Sequence, residues 1–400
     1  MLLSQSNRLS FATLIVGALV FIPALIACQP AAENAAEQPS TSAAIDLNGK
    51  WLFEADGEIM RDPQTSGLVM QNGTLLSISD GSAMAEQRRR LHVIDPVSGV
   101  VTEKLGPMSM LSRVRRSCFS QYLSDEPDFE ALVVDPEDSN VFVIVTEDAT
   151  RSGALSPRCQ QRFEQTGSTA YPTLLVRVVR NEQKLTMTHV RPLQYPLSFA
   201  VGDFPNDGIE GMAFGKQREL YLGLEKDAAG QPRIFSVTVD DAFWQETDFA
   251  VVKDPALLLP TFESGNHPIN GLDFLELPGE HPGLLVAAAR NDDQLWLVDL
   301  SNQHPTQIID LRFFAPTLDT SGQCPEFELM DNASLEGVAV AESSIWLVND
   351  PWKRNYMKNL VCASNQTRYE AMAPLLYELP INPVWLERYT AKTVGPDDSH

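Results

Sequence analysis

The sequence predicts an all-β fold, a five-bladed β-propeller with four-stranded antiparallel blades. One short phrase recurs five times along the chain. A second apolar run ending in polar residues follows each copy after a turn. The copies start 64, 80, 60 and 66 residues apart, a spacing suited to blades with loops of unequal length.

The phrase reads Ser66-Gly67-Leu68-Val69-Met70, Glu130-Ala131-Leu132-Val133-Val134, Glu210-Gly211-Met212-Ala213-Phe214, Asn270-Gly271-Leu272-Asp273-Phe274 and Glu336-Gly337-Val338-Ala339-Val340. Each copy is an oxygen-bearing residue, then Gly or Ala, then a short strand. The second runs are Leu75 to Asp80, Val141 to Asp148, Leu220 to Asp227, Leu284 to Asp292 and Ile345 to Asp350. Their length, β-branched content and turn-rich flanks read as buried strands. Third strands are expected at Leu91 to Ile94, Leu174 to Val179, Ile234 to Val239 and Leu295 to Leu300, and fourth strands at Val100 to Lys104, Leu185 to Val190 and Gln307 to Leu311. Either Leu375 to Leu379 or the strand around Trp51 to Glu54 completes the last blade. A sixth blade requires Leu47 to Met60 to form much of a sheet.

The cysteines follow the same period. Cys118 lies twelve residues before Glu130 and Cys324 twelve before Glu336, while Cys159 and Cys362 follow those glutamates by 29 and 26 residues. In an up-and-down blade, the loop into the first strand and the loop out of the second share a face. The expected disulfides are therefore Cys118–Cys159 and Cys324–Cys362.

At the N-terminus, Arg8 precedes an apolar run from Phe11 to Ile26 that stops at Leu25-Ile26-Ala27-Cys28. This reads as a lipoprotein signal peptide over residues 1–27, with Cys28 as the lipidated residue. The run is short for a membrane span and is broken by Gly17 and Pro23. A lipidated flexible tether over residues 28–45 precedes a propeller at 46–390 and a tail at 391–400 expected to be disordered. Gln29 after the cysteine suits a bacterial outer-membrane destination with the body in the periplasm or beyond, the lipid anchor making the membrane a partner. The net charge of -23 excludes nucleic acid as a partner.

From Gly208 to Val237, with Glu210-Gly211 and Leu224-Glu225-Lys226, the chain resembles the SdiA-regulated family of exported propellers and the related phytase-like, esterase-like family. A second resemblance is to calcium-activated apyrases, five-bladed propellers with Ca²⁺ on the axis. It implies a ring of Ser66, Glu130, Glu210, Asn270 and Glu336. Asn270 stands where apyrases typically have Ser, and Glu225 departs from their Gly-Leu-Gly-Lys-Glu strand end.

Elementary electrostatics also points to a cation. Innermost strands start around a narrow axis, so Glu130, Glu210 and Glu336 would crowd together, which is costly unless compensated. Ca²⁺ accepts such an irregular oxygen ring; the alternative is hydrogen bonding of the glutamates to backbone amides across the channel. The ends of the second strands bring Asp80, Glu147, Asp148, Glu225, Lys226, Arg290, Asp292 and Asp350 to the same mouth. Arg88, Arg89, Arg90 and Arg116 are candidate anion ligands there, with Lys226, Arg290, Trp352 and Lys353. Surface pairing of these arginines is the competing reading.

Two functions follow. One is an envelope lipoprotein that binds Ca²⁺ on its axis and an unidentified ligand or envelope protein at the mouth. The other is a Ca²⁺-dependent phosphoesterase or esterase, phytase-like or apyrase-like, in which Asp80, Glu147 or Glu225 activates water. The sequence contains no Gly-x-Ser-x-Gly elbow, Walker loop or His-Glu-x-x-His.

Overall fold

The five recurring phrases form the innermost strands, Thr65–Gln71, Phe129–Asp135, Ile209–Phe214, Ile269–Leu275 and Leu335–Val340. Each packs against the next around the ring, and the fifth packs against the first. The chain is a closed five-bladed β-propeller. The computed structural model describes residues 43–147, 155–167, 172–202, 208–353 and 355–390. The segment read as a signal peptide, Cys28, most of the expected tether, Asp148, Arg354 and the expected tail lie outside the described residues. No helix among the described residues is long and apolar enough to cross a membrane.

Blades 1, 2 and 4 each continue as a four-stranded meander. Blade 1 adds Thr74–Ser79, Leu91–Ile94 and Val100–Leu105. Blade 2 adds Asp138–Thr146, Leu174–Asn181 and Lys184–Gln194. Blade 4 adds Leu284–Ala289, Gln294–Asp299 and Gln307–Pro316. Blade 3 has only Glu219–Leu224 and Arg233–Thr238 beside its inner strand. The segment that would supply its fourth strand, Ala250–Val251, pairs instead with the outer strand of blade 2.

Blade 5 adds Ser344–Asn349 and Leu375–Pro380, and its fourth strand comes from the other end of the chain, Lys50–Trp51. Both segments expected to close the ring therefore do so. The N-terminal stretch builds no sixth blade. Ile45–Asn48 pairs parallel with blade 4, Lys50–Trp51 antiparallel with blade 5, and Phe53–Glu54 parallel with blade 1. One short stretch thus covers three outer edges that would otherwise present unpaired backbone groups.

Hydrophobic side chains collect in five clusters, one at each blade–blade interface. Leu76, Ile78, Phe142 and Ile144 meet between blades 1 and 2, and Leu52, Leu68, Trp346 and Val348 between blades 5 and 1. The small second residue of the phrase follows from this packing. A Cβ at Gly211 would lie 3.0 Å from the backbone carbon of Gly271, and one at Gly337 would lie 3.1 Å from that of Gly67. Gly211→Ala is expected to destabilise the protein by about 1–3 kcal/mol through overpacking, read as a lower denaturant midpoint at unchanged slope. Wild-type stability in that variant would mean the strands do not meet so closely.

Both disulfides form as the repeat predicts. Cys118–Cys159 has a Cα separation of 5.6 Å and Cys324–Cys362 one of 6.0 Å, both within the usual range.

Candidate cation-binding channel mouth

A bulge occurs near the start of every innermost strand. In four blades the pairing skips the phrase's first residue: Ile209 faces Leu224, and the next pair is Gly211 with Gly223, leaving Glu210 between them. The same skip occurs at Glu130, Asn270 and Glu336, whereas in blade 1 the skipped residue is Gly67, just after Ser66. A bulge re-aims a side chain, and here it takes four oxygen-bearing residues out of the regular pleat.

A second set of five residues follows directly from the ends of the second strands: Asp80, Glu147, Glu225, Arg290 and Asp350. Four are tied back by equivalent backbone bonds. The amides of Asp80, Glu147, Glu225 and Asp350 donate to the carbonyls of Gln64, Asp128, Gly208 and Ser334, at 2.8 to 3.0 Å. The phrase and the second strand end are thus held at one level of the channel.

Together they line a cavity of about 530 Å³ that includes Ser66, Asp128, Glu130, Glu147, Glu210, Glu225, Arg290, Glu336, Asp350, Trp352 and Lys353. The acids are not evenly spread. Asp128, Glu130 and Glu147 can bring one carboxylate oxygen each to within 4.8 Å of one another, and so can Glu147, Glu210 and Glu225. Glu147 belongs to both groups, so five buried carboxyls form one continuous wall along blades 2 and 3.

Blades 4 and 5 balance their acids differently. The Arg290 guanidinium pairs with Glu336 and lies 3.3 Å from Glu225. Burial works against its charge, but Glu336, Glu210, Glu225 and Asp350 more than offset this and raise its pKa. Asn270, fully buried, lies close enough to Glu336 to favour its ionised form, yet among the described residues neither amide atom has a partner in hydrogen-bond geometry; nor does Glu336 Oε2.

Burial pushes the Glu336 carboxyl up to about 8; Arg290 opposes this shift, and Asp350 and Glu225 add to it. Glu130, Glu147 and Glu210 are raised well above the usual carboxylate range, by burial first and then by one another and neighbouring acids. Asp350 is raised by burial and then by Asp80.

The predicted site residues fare unequally. Ser66, Glu130, Glu210 and Glu336 line the mouth, with Asn270 against Glu336. Their carboxyls divide between an acidic side and an arginine-compensated side. Asp80 accepts from the Ala83 amide at 3.0 Å and from the Ser82 hydroxyl at 3.0 Å, closing its own turn. Lys226 stands 4.0 Å from Glu225, and Lys353 is 3.2 Å from Asp62 and donates to the Ser82 carbonyl. Trp352 is 46% exposed at the rim of the cavity.

The arginine triplet is not an anion site in this mouth. Arg88 pairs with Glu126, Arg89 donates to the Ser124 carbonyl and Arg90 to the Gly106 carbonyl, and none lines the cavity. Adjacent charges in a loop point to different neighbours, and local carbonyls take up their donors. Arg116 lines a different pocket altogether. Asp292 binds His267 at 2.9 Å.

Sequence reasoning missed Asp128. It lies two residues before Glu130, at the position held by Gln64, Gly208 and Ser334 in other copies, so comparing that offset across the repeat would have exposed the extra acid.

No protein-family model matches the chain. No curated protein matches it either. Among solved structures it is similar to an exo-β-1,3-galactanase from Clostridium thermocellum, at 10% identity over 84% of this chain and 62% of that one, with a TM-score of 0.44. It therefore spans less than two thirds of that protein. A glycosyl hydrolase from Bacteroides ovatus matches at 11% identity over 84% of this chain and 90% of that one, with a TM-score of 0.36. An auxiliary nutrient binding protein from Bacteroides thetaiotaomicron matches at 9% over 80% and 70%, with a TM-score of 0.35.

Proposed function

We propose that the mature chain is a lipid-anchored envelope propeller that holds Ca²⁺ at its channel mouth and presents a ligand or partner there. The observation that carries this reading is the pair of three-carboxylate groups sharing Glu147, each with its oxygens within 4.8 Å of one another. Two oxygens on opposite sides of one Ca²⁺ stand about 4.8 Å apart, so the spacing suits that ion. The donors are all hard oxygens, and the unpartnered Asn270 and Glu336 Oε2 atoms show that protein hydrogen bonds do not satisfy the mouth. Bound Ca²⁺ would neutralise the wall and leave coordination positions for an anionic or hydroxylated ligand.

In this reading Glu147 and Glu225 hold the cation rather than activate water, and Asp80 closes its turn. The exposed face of Trp352, beside Lys353, offers the ligand an apolar contact. Membrane attachment rests on Leu25-Ile26-Ala27-Cys28. Calorimetric titration of metal-stripped protein with Ca²⁺ tests the site. Saturable binding that weakens at least tenfold in Glu147→Gln is expected, since that residue serves both groups; absence of binding at millimolar Ca²⁺ would overturn the proposal.

A further inference from the structure

Against the strongly acidic composition, the outer rim of blade 2 carries the opposite charge. A pocket of about 560 Å³ lies among the helices Ser112–Arg115 and Pro157–Phe163, the outer strand of blade 2 and the turn Phe243–Gln245. It shares no lining residue with the channel mouth. Arg113, Arg116, Arg158 and Arg162 line it, and the buried side chains of Val114, Phe119, Phe163 and Trp244 form its apolar part.

Most of the nearby acid is already engaged. Glu246, the one carboxylate in the lining, pairs at 2.5 Å with Arg191, which also lies over the Phe243 ring. Arg162 is shared with Asp248 and donates to Thr247 Oγ1 at 3.1 Å. Arg113 donates to His189 Nε2, whose ring keeps its proton on Nδ1, 3.1 Å from Thr188 Oγ1. Burial, then Arg113 and Arg177, lower the His189 pKa to about 4, so this partner is neutral and leaves the Arg113 charge uncompensated. Arg116 and Arg158 have no side-chain hydrogen bond or ion pair among the described residues.

Three uncompensated guanidiniums around one cavity repel one another, and the chain holds them together covalently. Cys118–Cys159 joins the segment carrying Arg113 and Arg116 to the helix carrying Arg158. Beneath the disulfide, the Phe119 and Phe163 rings pack with centroids 5.1 Å apart, and Phe163 meets Phe249 edge-on. Such a clamp preorganises cationic donors, as anion recognition requires. The volume is that of a small-molecule pocket.

We propose that this rim pocket binds an organic phosphate monoester, its phosphate held by Arg113, Arg116 and Arg158 and its apolar body resting on Trp244 and Phe163. A carboxylate has two oxygens for these donors, whereas a phosphate presents three and matches several guanidinium forks at once. The apolar wall favours an ester over the bare ion.

The probe is 1-naphthyl phosphate, titrated calorimetrically and by tryptophan fluorescence, with inorganic phosphate and 1-naphthol as comparison arms. Saturable binding of the ester is expected, at least tenfold tighter than either comparison ligand. Arg116→Ala with Arg158→Ala should weaken it at least tenfold, while Arg115→Ala, an exposed arginine outside the lining, should not change it. Cys118→Ser with Cys159→Ser should also weaken it. All variants should keep the wild-type melting response to Ca²⁺, which separates this pocket from the channel mouth. The proposal is overturned by no ester binding at millimolar concentration, by equal binding of 1-naphthol or inorganic phosphate, or by an unchanged affinity in the double arginine variant.

Discussion

Adding Ca²⁺ to metal-stripped protein should raise the melting temperature by about 4 °C once the ion is in hundredfold excess over its dissociation constant. At that excess, a ligand that binds only the folded state stabilises it by about 2.7 kcal/mol, and the unfolding entropy of a chain this long converts that to a few degrees. Glu210→Gln removes one carboxylate of the blade 2–3 wall at nearly constant shape, so it should cut the response to less than half. Glu263→Gln, exposed and outside the mouth, should leave it intact.

The response should also depend on pH. In the stripped protein, Glu130, Glu147, Glu210 and Asp350 are raised above their unfolded values and Glu336 is raised to about 8. Between the unfolded and folded values, the folded state therefore binds more protons. Stability falls as pH rises from about 4.5 through about 8. Ca²⁺ replaces those protons, so its stabilising effect should be larger at pH 8 than at pH 5.5. An equal shift at both values, or none at either, would remove the wall as the binding site.

The parts legible in the sequence were those that every blade repeats. The glycine or alanine after each oxygen-bearing residue is demanded by innermost strands that nearly touch, so the phrase survives five times. The polar strand ends from Asp80 to Asp350 recur because each marks where a buried strand reaches the mouth. The matched cysteine offsets follow from the same period. What could not be read depends on single contacts between blades. The closure of blade 5 by the segment around Trp51 was foreseen, but Phe53–Glu54 is a two-residue strand, too short to carry a period, so its pairing with blade 1 left no pattern. The triplet Arg88, Arg89, Arg90 looked like a site because linear charge density does not reveal that local groups take up each guanidinium. Arg116 was assigned to the wrong pocket for a related reason: the crossover carrying it is clamped by Cys118 to the rim.

Arg290 shows how the two halves of the mouth depend on each other. It stands at the blade 4 position where every other blade has an acid, and it reaches Glu336, 46 residues further along the chain, as well as Glu225. Its side chain is 24% exposed and Glu336 only 5%, so the pair is shielded without being dry. Arg290→Met keeps much of the length and removes the charge. This leaves buried carboxyls without their guanidinium, at a cost of about 3 kcal/mol. Glu336 holds its proton below about pH 8, so the metal-free variant should melt several degrees below wild type at about pH 9, where the carboxyl would otherwise be ionised. It should recover at pH 5.5, because Glu336 and its neighbours can then take up protons. Ca²⁺ should raise its melting temperature by more than it raises that of wild type, since a cation then has both sides of the ring to neutralise. If Arg290→Met melts like wild type at about pH 9 and responds to Ca²⁺ no more strongly, the guanidinium does not offset the acids of blades 4 and 5, and the division of the mouth into a cation-binding side and a self-compensated side fails.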